Sequence, residues 1–218
     1  MDNPSSIEKA RPDAKKKSKL AAEAKAQERA EFKKKQKTLD SERLVFLDEF
    51  SINLAMTRTY ARALKGKRAR VIEPFNRGSN ISCIGALSLD GYQAPMMIEG
   101  AIDTQVFDLY VEKFLVPTLI RGDIVILDNV KFHHSQRAAE LIRAAGAELL
   151  HLPTYSPDFN PIEECFSKIK ECLRSSKART IRKLYNAMKK AIDKVSIDDI
   201  YGWFTHCGHS WTLNRKSL

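Results

Sequence analysis

The sequence predicts an α/β protein: a mixed five-stranded sheet flanked by helices, with a basic helical arm at its amino-terminal side. Three observations carry this prediction. The runs Leu44-Val45-Phe46-Leu47 and Ile124-Val125-Ile126-Leu127 have the length and content of buried strands. Asp90-Gly91 stands between two strand-like stretches as a tight hairpin turn. Helical apolar spacing then alternates with the later strands, which is the order of β-α-β units.

The elements follow in order. Residues 1–40 are rich in Ala, Lys, Glu and Gln and carry Lys15-Lys16-Lys17 and Lys33-Lys34-Lys35. Good helix formers run from Ala14 to Lys37 without an apolar stripe, so the segment reads as a solvent-exposed helical arm or linker. The main domain spans 41–210, and 211–218 form a tail. Its first strand is Leu44 to Asp48, followed by a basic stretch that includes Arg58, Arg62, Lys65, Lys67, Arg68, Arg70 and Arg77. Asn80 to Leu89 and Tyr92 to Ile98 make the hairpin. Asp103 suits the N-cap of a helix whose apolar face is Phe107, Tyr110, Val111 and Phe114. Gly122-Asp123 turns into the strand that delivers Asp128. A helix from Ser135 to Ala145 stops at Gly146, and Glu148 to Leu152 is the last strand. Helices at Pro161–Leu173 and Thr180–Lys194 complete the domain. Hairpin strands followed by right-handed crossovers bring the ends of the first and fourth strands near each other if those strands are neighbours.

The composition excludes several classes. No apolar run approaches the ~18 residues of a membrane span. Residues 1–19 are polar and basic, unlike a secretory signal. Cys83, Cys165, Cys172 and Cys207 form no Cys-x-x-Cys pair, which argues against a zinc knuckle and a disulfide framework and for a reducing cytoplasm. A formal net charge of +10 favours a polyanionic partner, nucleic acid above all. The plainer reading is a basic surface that keeps the protein in solution.

Three acids stand out. Asp48 and Asp128 each follow an apolar run, at the strand end where open α/β sheets bind ligands. Taken singly, each is explained as a turn or cap residue; two in one chain favour a site. Glu163 lies in Asn160-Pro161-Ile162-Glu163, a good helix start with Asn160 as N-cap and Pro161 at the first position. Helical spacing does not choose between Glu163 and Glu164. Clustered carboxylates call for a cation, and hard oxygen ligands suit Mg²⁺ or Mn²⁺. Two such ions ~3.5–4 Å apart serve in-line displacement at phosphodiesters.

Leu127-Asp128-Asn129, His133 five residues on, and Leu152-Pro153-Thr154-Tyr155-Ser156-Pro157-Asp158-Phe159-Asn160-Pro161-Ile162-Glu163 resemble the DDE transposases of the Tc/mariner superfamily, most of all its bacterial insertion-sequence branch. The 34 residues between Asp128 and Glu163 (163 − 128 − 1) match the spacing of that group. Leu47-Asp48-Glu49, Gly66-Lys67-Arg68 and Phe114-Leu115-Val116-Pro117-Thr118-Leu119 are similar too. The resemblance implies a ribonuclease-H-like fold and a catalytic and metal-binding triad of Asp48, Asp128 and Glu163, which selects Glu163 over Glu164. It implies Mg²⁺, with Mn²⁺ able to substitute, and DNA as substrate: mobile-element ends, a short target and a homodimer in a paired-end complex. It also implies a cytoplasmic, nucleoid-associated bacterial protein. Members of the family carry helix-turn-helix modules ahead of the catalytic domain, for which there is no room before Asp48. The resemblance therefore implies an upstream helix-turn-helix polypeptide joined by frameshifting, or a remnant that binds DNA or a partner without cutting. Phe159 stands where the family has Leu, and Lys131-Phe132-His133-His134 is bulkier than usual.

Asn129 and His133 are the expected supporting residues; His133 orients an aspartate or is an exposed cap. Arg62, Lys65, Lys67 and Arg68 are the expected DNA contacts, against the alternative of a solvated loop. Cys165 and Cys172, seven apart on one helix face, read as packing residues, and His206-Cys207-Gly208-His209 as structural.

Overall fold

The structure is a computed structural model that describes residues 25–70, 74–76 and 78–210. The arm before residue 25, Arg77 and the 211–218 tail lie outside the described residues. Five strands form one sheet: β1 (Leu44–Ile52), β2 (Ile81–Ser88), β3 (Gly91–Glu99), β4 (Ile124–Leu127) and β5 (Glu148–His151). Their order is β3-β2-β1-β4-β5. The β1, β2 and β3 neighbours pair antiparallel, whereas β4 runs parallel to both β1 and β5. The first and fourth strands are neighbours, which is the condition for their ends to meet.

Alternation along β1 explains its nearly continuous burial. Leu44, Phe46, Phe50 and Ile52 enter one core and Val45 and Leu47 the other, because successive side chains point to opposite faces. The first core lies under α1 (Ala26–Gln36), α4 (Ile162–Ser176), α5 (Ile181–Ile192) and α6 (Ile197–His206). The second lies under α2 (Thr104–Tyr110) and α3 (Gln136–Ala144). Among the described residues no helix is long and apolar enough to cross a membrane.

Helix α4 shows how sequence sets position. Ile162, Cys165, Phe166, Ile169 and Leu173 recur at helical spacing and are all buried, with Phe166 4.4 Å from Phe50 of β1. In the hairpin, register shifts at Gly85, where a side chain would meet the Tyr92 hydroxyl at 2.1 Å; only glycine fits there.

Three expectations need correction. β1 does not end at Asp48 but continues four residues, because Phe50 and Ile52 keep burying against the core. Helix α2 begins as expected, with Asp103 accepting from the Val106 N–H at 2.9 Å, then passes into a π-helical turn, Val111–Leu115. The wider turn rotates the face by one position, so Leu115 is buried and Phe114 is exposed. Finally, α1 is not free of the domain. Phe32 and Gln36 are buried, and the Phe32 and Phe159 rings lie 5.1 Å apart.

Candidate active site

The sheet brings Asp48 and Asp128 abreast. Leu44, Val45 and Phe46 pair in parallel with Ile124, Val125 and Ile126, so continuing that register two residues sets Asp48 level with Asp128. Neighbouring strands lie about 4.8 Å apart. β4 stops at Leu127 whereas β1 runs on beside β2, with Asp48 opposite Gly85. Asp48 therefore stands in mid-strand at the point where β4 leaves its flank. It shares the sheet face of Phe46 and Phe50, the face that α4 covers.

Glu163 arrives from the first turn of that helix. Asp48, Asp128 and Glu163 together line one open cavity of about 380 Å³, with Asn129, Tyr155 and Asn160 among its walls. Tyr155 holds a left-handed backbone conformation, φ 54°, at this rim, a costly geometry for a non-glycine residue.

The carboxylates are in an unfavourable environment. Burial, then repulsion from Glu49, Glu163 and Asp128, raises the Asp48 pKa well above the usual carboxylate range. Glu163 is raised by burial, with Asp128 and Glu49 adding repulsion and Lys170 opposing it. Asp128 is lowered: its burial acts upward, but the His133 ring and the Val130 N–H outweigh it.

Each aspartate has a dedicated partner. Asp48 Oδ2 accepts from Asn160 Nδ2 at 3.0 Å, and its Oδ1 accepts from the Glu49 N–H at 2.7 Å. Asn160 is thus not the N-cap of α4. Pro161 takes that position, and the Asn160 amide turns into the site instead. Asp128 Oδ1 lies 2.6 Å from His133 Nδ1 and accepts from the Val130 N–H at 3.0 Å. His133 is 1% exposed, so it is not a surface cap. Burial pulls its pKa down, but Asp128 and Glu49 prevail and raise it to about 9. Its Nε2 lies 3.3 Å from Glu49 Oε2, close enough for charge attraction though not aligned as a hydrogen bond. Asn129 Nδ2 donates to the Leu152 carbonyl at 2.5 Å and so ties the end of β4 to the chain leaving β5.

Asn160 and Glu49 are the residues that sequence reasoning missed. Asn160 was visible but explained as a cap. Glu49 gave a weaker signal, because its partner His133 is distant along the chain.

A hard divalent cation fits this donor set in kind. The cavity offers three carboxylates, and the buried Asn160 Oδ1 has no hydrogen-bond partner. Among the described residues, however, no three acidic, histidine or cysteine side chains stand ready to grip one ion. Both Asp48 oxygens accept hydrogen bonds from the protein, and Asp128 Oδ1 is held by the Val130 N–H and the His133 ring.

The expected DNA contacts lie elsewhere. Arg62, Lys65, Lys67 and Arg68 are all exposed on the connection between β1 and β2. None lines the carboxylate cavity, and Arg62 lines a separate cleft. Cys165 is buried and Cys172 partly so, both in the α4 packing. His206 pairs with Glu164, while His209 is buried against Phe46 and Phe159. Neither histidine faces the cavity.

This strand order, with acids meeting where β1 and β4 part, defines a ribonuclease-H-like fold. The chain belongs to the DDE superfamily endonucleases, whose sequence profile matches residues 43–185. Solved structures of the Mos1 mariner transposase share the fold. The Mos1 strand transfer complex matches with a TM-score of 0.69 and 14% identity, covering 89% of this chain and 62% of that one. The Mos1 mariner paired-end complex with Mn matches at 0.68 and 14%, covering 88% and 62%. The isolated Mos1 catalytic domain matches at 0.60 and 11%, covering 82% and 84%. This chain therefore spans less than two-thirds of the full Mos1 chains. A comparison with curated proteins finds no match.

Proposed function

We propose that this chain is the catalytic domain of a transposase of the Tc/mariner superfamily, insertion-sequence branch, that cuts and joins DNA strands. The observation that carries this reading is the convergence of Asp48, Asp128 and Glu163 on one cavity from β1, β4 and α4. These three would hold Mg²⁺ or Mn²⁺, which when bound would supply charge to the phosphodiester in displacement. Solved Mos1 paired-end complexes with Mg and with Mn support both the ion and the substrate class. Water as the attacking group gives strand cleavage, and a 3′-hydroxyl gives joining; in each case one P–O bond forms as another breaks.

The chain's own residues set the frame. Asn160 fixes one Asp48 oxygen from the α4 side, and His133 fixes Asp128 while its charge offsets Glu49. The proposed DNA-binding residues are Arg62, Lys65, Lys67 and Arg68. The proposed assembly is a homodimer on paired element ends, by analogy with the Mos1 paired-end complex; a bacterial, nucleoid-associated location belongs to the same proposal.

A second reading has its own observation: among the described residues no set of three histidine, cysteine, aspartate or glutamate side chains stands formed around a common point. On that reading the chain is a remnant that holds DNA without cutting. The test is nicking of labelled element-end DNA in Mg²⁺ or Mn²⁺ by the chain fused to the helix-turn-helix polypeptide proposed to be encoded upstream. Metal-dependent nicking that disappears in Asp128→Asn is the expected result. Equal nicking by both proteins removes the assigned site, and DNA binding with no nicking by either establishes the remnant.

A further inference from the structure

Two clefts meet on the molecule at the far end of α4 from the acids. One, of about 480 Å³, is lined by Lys177, Lys183, Lys190 and Lys194 together with Asn186 and Ser176. The other, of about 710 Å³, is lined by Arg58, Arg62, Arg70 and Tyr60, and again by Lys177. Lys177 closes α4 in a left-handed conformation, φ 49°, so its side chain borders both. Arg58 is tied to this end of α4 by its Nε, which donates to Ser175 Oγ at 3.2 Å. The seven cations of the two clefts are exposed, and none forms an ion pair among the described residues. Neither cleft has an aspartate or glutamate in its lining. Glu171 lines an adjoining cleft with Arg174, and that cleft shares Arg58 and Tyr60 with the second one. Tyr60, 88% exposed, offers a ring beside the charges.

A basic face that only keeps a protein soluble would have its cations scattered among acids. Here they form a continuous track with no carboxylate within it, and such a track suits a regularly spaced chain of negative charges. Glu163 and Lys177 are 14 positions apart along α4, about 21 Å at ~1.5 Å per residue. Duplex DNA rises ~3.4 Å per base pair, so that length equals about six base pairs.

We infer that the joined clefts of Lys177, Lys183, Lys190 and Lys194 and of Arg58, Arg62 and Arg70 form a backbone-binding track for duplex DNA, separate from the carboxylate cavity. The inference rests on the proposed DNA substrate, but its test needs neither cleavage nor metal. The track holds phosphates and reads no sequence, so its signature is counterion release.

The experiment measures binding of the whole chain to a mixed-sequence DNA duplex in EDTA, by fluorescence anisotropy across a range of salt. One variant combines Lys177→Asn, chosen because Asn tolerates the left-handed backbone, with Lys183→Gln, Lys190→Gln and Lys194→Gln. The control removes four cations from the opposite layer: Lys113→Gln, Arg121→Gln, Arg137→Gln and Arg143→Gln. Each phosphate contact contributes ~0.9 to the slope of log affinity against log salt, so the track variant is expected to lose about 3.6 from that slope. The control is expected to lose less than about 1. An unchanged slope in the track variant, or equal losses in both, overturns the inference. So does a steeper slope for wild-type protein on polyglutamate or duplex RNA than on duplex DNA. A steep slope in a chain that never nicks DNA keeps the track and removes only the catalytic reading.

Discussion

Asn160 is the residue on which both halves of the site turn, since it leads into the helix of Glu163 and holds Asp48 across the cleft. Asn160→Ala leaves a buried carboxylate oxygen without its donor. The expected loss is ~1–3 kcal/mol of stability, read from the urea midpoint. Asp48→Asn has the opposite sign. It removes a buried charge that Glu49, Glu163 and Asp128 repel. The new amide is accommodated, because Asn160 can flip and present the Oδ1 that now lacks a partner. The metal-free variant is expected to be more stable at neutral pH, on the order of 1 kcal/mol, while losing nicking. A fall in its melting temperature would show that Asp48 is not under strain. The identity of these acids was legible in the sequence; their partners were not. An asparagine before Pro161 reads as a helix cap in any chain. Only the fold reveals that its amide faces an aspartate more than a hundred positions away.

Helix α1 shows how an element can dock without an apolar stripe. Arg29 donates two hydrogen bonds to the Asp158 carboxylate, at 2.9 and 2.7 Å, and one to Ser156 Oγ at 2.7 Å. Its guanidinium also lies 4.7 Å from the Phe159 ring centre. Gln36, buried, donates to the Cys207 carbonyl at 2.8 Å. Arg29→Ala is expected to release α1: its amides should exchange several-fold faster while those of β1 and β2 keep their protection. Acid should act in the same direction. Arg29 holds the Asp158 carboxyl below its ordinary value, so its contribution is present above the unfolded pKa near ~3.9 and is lost as pH falls through the lower folded value. Hydrogen exchange of α1 at falling pH checks that window, and unchanged protection of α1 below it would contradict the docking.

Other elements divide in the same way between local and distant causes. The hairpin turn, the Asp103 cap and the Gly146 stop were legible because their signals are local. Helix α6 was passed over although Ser196 and Asp199 form a capping box at its start. The extension of β1 past Asp48 and the π-helical turn after α2 were not legible, since both answer to what packs above them.

At the scale of the whole molecule, one sheet with a helical layer on each face brings three carboxylates together from distant parts of the chain. The sequence leaves open which strands are neighbours, but the mixed character of the sheet was legible, because a hairpin followed by β-α-β crossovers combines antiparallel and parallel strands. That Asp48 and Asp128 stand level was not, because it depends on the register of β1 against β4.

The claim that these three acids form an ion-binding centre is tested most directly by thermal melting of the metal-free chain, with and without Mn²⁺. An ion that binds the folded state alone at ~100 times its dissociation constant adds about 2.7 kcal/mol, a rise of several degrees. The expected result is such a rise for the wild-type chain, and little or none for Asp48→Asn or Asp128→Asn. No rise in the wild type, or an equal rise in all three proteins, would contradict the account.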